Sequence, residues 1–349
     1  MRTRTYRENY RELTELLPYR SSWNWYALLL AVLVSLPFMV PTYVMTYVTL
    51  ILIAAVGAVG LNIVTGTAGL ISLGHAGFLA IGAYTAGIAI STYGWPIPAA
   101  ILAAGFVSAA ASLLVGVPSL RLKGLYLAIT TLAFSIIVVH LINQWEGLTG
   151  GSSGMPVGRP DFLGIPMRSP ASMFYLTLVI AGLTVLGTLN LLRSRVGRAW
   201  AALRDYDTAA SMMGINLVRY KLLAFAVSSF ITGVAGSLMA LNIRYLNTDS
   251  FELIVSIEAI AMIIVGGLGS VRGAILGATL ITVLPDFSRY VLSLFGGALG
   301  SIASGNTAEI KGIIYALVIM LFLRFEPDGL AHQWNRTKRF WSDWPYSRK

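Results

Sequence analysis

The chain has 349 residues, of which 56% are hydrophobic and only 11% charged, with a mean hydropathy of +0.73. Soluble domains carry roughly 25% charged residues, so too little polar surface exists here to clothe a water-facing globule, and lipid must be the solvent for much of the chain. A formal charge of +10 would suggest nucleic acid in a soluble protein. In a membrane protein it follows from the excess of Arg and Lys in cytoplasmic loops, and no nucleic-acid partner is expected.

A bilayer core about 30 Å thick takes roughly 20 apolar residues as a helix. In chain order such runs occupy residues 25–44, 46–64, 71–91, 97–117, 125–142, 173–192, 222–241, 254–267 continuing through 274–284, and 308–323. A weaker stretch rich in Gly and Ser lies at 290–304. The runs are apolar all round rather than alternating, which argues against barrel strands. The expected fold is therefore an all-α polytopic membrane protein with about nine or ten transmembrane or re-entrant helices. It divides into a basic tail (1–22), a membrane domain (23–326) and a C-terminal tail (327–349).

Threading the chain with its N-terminus inside places nineteen Lys and Arg residues on one face. The other face receives three, Arg159, Arg168 and Arg244. Both termini are thus expected in the cytoplasm, provided that 290–304 crosses or the preceding segment re-enters. The first apolar run follows a long polar tail, is interrupted by Pro37 and Pro41, and has no small-x-small cleavage site, so it reads as a retained anchor. The absence of cysteine excludes disulfides and thiolate metal sites. A prokaryotic inner membrane is the simplest home.

Two extramembrane stretches are long enough to have roles of their own. Residues 143–171 form an external loop, dense in Gly, Ser and Pro, that reads as a lid, a docking loop or a plain connector. Residues 193–220 are cytoplasmic, and within them 197–215 is Ala-rich and made of strong helix formers ending at Gly214. On a helical period Trp200, Leu203, Ala210 and Met213 tend to one side, with Arg204, Asp205, Thr208 and Ser211 elsewhere. This helix is too short and polar to span. It is suited either to the headgroup layer or, given its mixed acids and bases, to a protein partner.

Gly and Ser break two membrane segments. One contains Thr65-Gly-Thr-Ala-Gly69 and runs on to Ser72-Leu-Gly-His-Ala-Gly77; the other contains Gly266-Gly-Leu-Gly-Ser270. Small residues let helices approach closely. Interrupted segments at membrane depth also point toward a transport path, because irregular backbone is tolerated there only under cover of protein or water. Few ionisable residues lie in the spans. His75 either pins a helix break or faces the path, and Glu258 either lines the path or satisfies a helix end. Asn62, Thr65, Ser72, Thr130 and Thr131 are candidates for a polar lining or for interhelical hydrogen bonds, and Gly266 and Gly267 for the second break. No phosphate-binding loop, zinc-protease motif, nucleophile elbow or chain of buried carboxylates is present. Any energy for uphill transport must come from elsewhere.

The run from Gly60 through Phe78 resembles the signature of branched-chain amino acid ABC transporter permeases. Residues 121–133, 148–154, 197–215 and 256–270 agree with it, and together they resemble the LivM-type subunit. The resemblance implies half of a translocation pathway for Leu, Ile or Val, shared with a LivH-like permease. It further implies two cytoplasmic ATPase subunits and a periplasmic binding protein, with no cofactor on this chain and ATP hydrolysed by its partners. Residues 197–215 would be the coupling helix, contacting the ATPase through Arg198, Ala201, Asp205, Ala209, Ala210 and Gly214. Related permeases carry urea, small amides or other amino acids. Apart from the resemblance, a stand-alone secondary transporter or channel is the rival class.

Overall fold

The computed structural model describes residues 20–119, 122, 124–158, 161–162, 165–166, 169–294, 316–322, 324–326 and 328–343. The N-terminal tail up to residue 19, most of the expected stretch at 290–304, the start of the last run at 308–323 and the loop charges Arg121, Lys123, Arg159 and Arg168 lie outside these. The chain is an all-α polytopic membrane protein. Five helices among the described residues are long and apolar enough to cross a bilayer: Thr42–Thr67, Ile97–Pro118, Leu125–Gln144, Pro170–Arg193 and Leu217–Ile243.

Helix α1 (Arg20–Met39) precedes α2 (Thr42–Asn62), and Pro41 caps α2 in extended conformation. Pro fits the start of a helix because the missing N–H has no partner there. α1 touches the bundle lightly; its Val34 carbonyl accepts from the Tyr175 hydroxyl at 2.8 Å. α2 is buried on every side from Ala55 to Asn62, then widens into a π turn, Ile63–Thr67. The expected span 71–91 is helical only from His75: α3 is His75–Ser91, and residues 68–74 run as irregular backbone inside the protein. The break occurs where Gly69 takes a positive φ of 71°, which a side chain resists.

The freed backbone groups find partners. Ala68 and Leu70 N–H donate back to the Ile63 and Val64 carbonyls, at 3.0 and 2.9 Å. Leu73 N–H donates to Thr131 Oγ1 at 2.9 Å, Thr65 Oγ1 to the Leu70 carbonyl at 3.2 Å, and Ala76 N–H to Ser256 Oγ at 3.0 Å. Each unsatisfied group in hydrocarbon would cost several kcal/mol, which is why the polar side chains gather here.

α4 (Ile97–Ser119), α5 (Leu125–Gln144) and α6 (Pro170–Arg193) surround this centre. Large apolar residues are exposed on them, among them Leu102, Phe106, Ile136, Ile137 and Leu183, a surface suited to lipid. The loop before α6 holds β1 (Met155–Pro156) and a small hairpin of β2 (Asp161–Phe162) with β3 (Ile165–Pro166). β1 pairs antiparallel with β4 (Tyr245–Leu246), much later in the chain. Ser91 Oγ donates to the Pro156 carbonyl and accepts from Gly158 N–H, so α3 is tied to the loop.

After α6 come α7 (Arg195–Asp205) and α8 (Asp207–Met212), then α9 (Leu217–Ile243). α7 and α9 start at Ser194 and Asn216, whose side chains accept from Val196 and Arg219 N–H, satisfying donors that a helix start leaves open. α9 is 27 residues long, about 40 Å at 1.5 Å per residue. It crosses α3 and α4 through glycines. A Cβ on Gly82 would overlap the Gly233 backbone, and one on Gly236 would overlap the Leu79 carbonyl.

The expected two-part segment 254–284 is a hairpin. α10 (Leu253–Gly266) and α11 (Val271–Leu294) are antiparallel, with Gly266 against Gly273 and Gly277 against Met262. At 14 residues, α10 is about 21 Å long and stops short of the far side of a bilayer. A further helical stretch, 316–322, precedes α12 (Gly329–Asp343). The start of α12 rests on the hairpin tip: a Cβ on Gly267 would lie 2.9 Å from the Asp328 carbonyl and 3.3 Å from Ala331 Cβ.

The glycine crossings carry a direct expectation. Gly82→Ala or Gly236→Ala should destabilise the detergent-solubilised protein by about 1–3 kcal/mol or more, as overpacking does. Gly187→Ala, on α6 with open space at its Cβ, should leave the thermal transition unchanged.

Candidate functional site

Two regions of the molecule gather the residues singled out by sequence. The first is a cavity of about 460 Å³ bounded by α2, α3, α9, α10 and α11. This lies within the roughly 300–1,000 Å³ of small-molecule sites. Its walls are mainly aliphatic, including Leu50, Ile53, Leu79, Val255, Met262 and Ile281. The polar groups in the wall are Tyr47, His75, Glu258, Thr282 and Asp286.

Each is placed by a local feature. His75 is the first residue of α3, so the helix break aims it into the bundle; it is buried. Gly57 makes room for the imidazole, since a Cβ there would stand 3.2 Å from Nε2. Glu258 lies on α10 about a turn and a half from its start. Asp286 follows Pro285, which sits inside α11 and carries no N–H, so the Ile281 carbonyl receives none from it. Thr282 Oγ1 is buried without a hydrogen-bond partner in the same wall. An aliphatic pocket with two carboxylates, an imidazole and a hydroxyl can hold a small solute that combines a cationic group with an apolar side chain.

Of the sequence candidates for the path, only His75 and Glu258 line this cavity. The others, Thr130 apart, hold the two breaks in place. Asn62 Oδ1 accepts from Gly269 N–H at 2.9 Å, Ser72 Oγ accepts from Gly74 N–H at 3.4 Å, and Thr131 bridges Leu73 N–H and the Ala128 carbonyl. Thr65 serves the Leu70 carbonyl, and Thr130 donates to the Tyr126 carbonyl within α5. Gly266 packs against α11, and Gly267, with φ 118°, forms the hairpin tip. Asp286 and Thr282 were not anticipated. The apolar run in the sequence ends at residue 284, short of Asp286, whereas α11 continues through Pro285 to Leu294.

The second region is the α7–α8 arm. The single helix expected over 197–215 is bent at Tyr206, whose backbone is extended with φ −154° and ψ 107°. The bend turns Trp200, Leu203 and Ala210 inward, as their period suggested, but leaves Met213 84% exposed. Trp200 is fully buried, and its Nε1 donates to the Tyr220 carbonyl at 2.9 Å. Lys221 Nζ meets Asp207 Oδ2 at 2.8 Å, a largely buried pair that fastens α8 to α9. Arg198 donates to the Arg193 carbonyl at 2.9 Å. Arg198, Ala201, Asp205 and Ala209 are exposed, Gly214 closes the arm with φ 83°, and Ala210 is buried against the body. Tyr206, Met212 and Met213 add large exposed apolar surface. Adaptable Met side chains beside mixed charges make a surface suited to a protein partner.

The chain matches the family described as branched-chain amino acid transport system / permease component over residues 40–323. It is 36% identical over 300 residues to the high-affinity branched-chain amino acid transport system permease protein LivM of Salmonella typhimurium, covering 78% of this chain and 70% of the relative. The LivM protein of Escherichia coli K12 gives the same figures. The LivH permease protein of the same Escherichia coli strain is 24% identical over 291 residues, 78% of this chain and 89% of the relative. No solved structure matches the chain. With most of its length inside the family match, and relatives above 30% identity, the chain belongs to the branched-chain amino acid transport permease family.

Proposed function

We propose that this chain is the membrane-spanning permease subunit of an ABC importer for branched-chain amino acids, resident in a bacterial inner membrane. The observation that carries this reading is the family match itself. It spans residues 40–323 and so takes in both broken segments, the cavity and the α7–α8 arm. In this reading the chain forms half of the pathway with a LivH-like second permease. A periplasmic binding protein delivers the solute, and two ATPase subunits dock on the arm from the cytoplasm. Neither ATP nor any cofactor binds this chain. The arginine distribution supports placing the arm and both termini on the cytoplasmic side, and the contact of Arg204 with Gly66 and Gly269 supports the same side for the hairpin tip.

The cavity chemistry supports the substrate class. Leu50, Ile53, Val255, Met262 and Ile281 offer an aliphatic wall for a Leu, Ile or Val side chain, and Glu258 and Asp286 suit its ammonium group. A solute needs to dwell there only briefly, because a path must bind weakly enough to release. ATP-driven movement of the arm would open the cavity to one side and then the other; it shifts that equilibrium only through contacts that differ between the two states.

The assembly tests the reading as a whole. Proteoliposomes holding this chain, a LivH-like permease and two ATPase subunits should accumulate labelled leucine only with binding protein and ATP. Leucine passing down its gradient through this chain alone would overturn the reading in favour of a stand-alone carrier. Within the active assembly, Glu258→Gln or Asp286→Asn should lower uptake about tenfold or more, the size of a lost hydrogen bond to a charged group.

The arm yields a second expectation. Ala201→Trp or Ala209→Glu, both at exposed positions, should abolish co-purification of the ATPase while the permease pair still forms. Ala210 is unsuitable for this test because a large residue there would disturb buried packing. Unchanged ATPase binding and solute-stimulated hydrolysis in both variants would remove the arm from the contact.

A further inference from the structure

We infer that Arg204 is a positioning residue that ties the α7–α8 arm to both broken membrane segments at once, so that movement of the arm is delivered to the two breaks together. The inference rests on the arm being the ATPase contact, as proposed above. Arg204 occupies the last turn of α7, and its Nη1 donates to the Gly66 carbonyl at 2.6 Å. That carbonyl belongs to the π turn where α2 gives way to irregular backbone. The same guanidinium lies against the other break: a Cβ on Gly269 would stand 2.6 Å from Arg204 Nη1 and 3.1 Å from the Gly66 carbonyl oxygen. The backbone of α7 also bears on the first break, with Arg204 Cα only 3.1 Å from where a Gly69 Cβ would be.

The two breaks are joined to each other as well. Asn62 Oδ1 accepts from Gly269 N–H at 2.9 Å, across 207 residues of sequence. Glycine stands at 66, 69 and 269, the latter two with φ 71° and 79°. A side chain at any of the three would displace Asn62 or Arg204. The result is one knot of Asn62, Gly66, Gly69, Arg204 and Gly269 at the mouth of both discontinuities. A guanidinium suits this post because it stays charged and projects several N–H donors from one rigid plane.

The test uses the assembled transporter and the absence of native cysteine in this chain. Arg204 is itself exposed, so Arg204→Gln removes the charge and the reach at a surface position while Arg198, Ala201, Asp205 and Ala209 stay unchanged. The ATPase should still co-purify and ATP should still be hydrolysed. Leucine taken up per ATP should fall roughly tenfold or more, with Arg204→Lys recovering part of it. In a Leu268→Cys background, where the reporter thiol sits at the exposed hairpin tip, labelling by a soluble maleimide should depend on nucleotide with Arg204 and become independent of it with Gln. Uptake per ATP equal to that of the parent, or tip labelling that still follows nucleotide, would overturn the inference. Loss of ATPase binding in Arg204→Gln would also overturn it, making Arg204 part of the docking face. Failure of the unmutated assembly to drive uptake with ATP would instead defeat the functional reading on which this one stands.

Discussion

Hydrocarbon offers no hydrogen bonds, so wherever this chain leaves the helix inside the bilayer each freed backbone group has to be answered by protein. Most of what distinguishes the molecule follows from that requirement. The segment between Thr67 and His75 is non-helical, and Thr65, Ser72 and Thr131 meet its N–H and C=O groups while Ser256 meets Ala76 N–H in the first turn of α3. The second break is met by Asn62 and by its own turn, in which Ser270 N–H donates to the Gly267 carbonyl. Polar side chains concentrate at the centre for this reason, and the lipid-facing sides of α4, α5 and α6 carry Leu, Ile and Phe.

Close packing is the second consequence. Irregular backbone must be covered, and covering it brings helix axes together until side chains no longer fit. Gly82, Gly233 and Gly236 let α3 and α9 meet backbone to backbone, and Gly266, Gly273 and Gly277 do the same for α10 and α11. Between these tight contacts lies the cavity, with the imidazole, carboxylates and hydroxyl in its wall. Close-packed surroundings and a mainly aliphatic cavity with a few polar groups suit a path that must change access without losing its shape.

Much of this was legible in the residues. Long apolar runs showed the helices, and the Gly-rich stretches at 65–69 and 266–270 showed the breaks, because glycine in series has no good helical role. His75 and Glu258 stood out as ionisable groups among apolar ones. The fate of Asn62, Ser72 and Thr131 was not legible: a polar residue in a span serves backbone or solute according to what faces it, and that is decided by tertiary contacts. Asp286 lay beyond the apolar run ending at 284, and the helix runs on past it because a Pro such as Pro285 is carried through within a packed bundle. The bend at Tyr206 was equally invisible, since Tyr has ordinary helix propensity and the two short helices are separated by packing against α9. The contacts of Arg204 left no trace in the sequence because its partners, the carbonyl of Gly66 and the turn at Gly269, are backbone and leave no complementary residue type.

The attachment of the arm to α9 has a mechanical consequence. Trp200 fastens α7 to the Tyr220 carbonyl and Asp207 fastens α8 to Lys221, both in the first turns of α9. A load on the arm is therefore applied to one end of a stiff rod rather than absorbed by a flexible joint. The rod is about 40 Å long, and its far end continues into β4, which pairs with β1 in the loop before α6. Even a small tilt about the first turn is magnified along that length. The loop on the opposite face would thus register a push from below as a displacement, without any signal having to thread through the cavity between them.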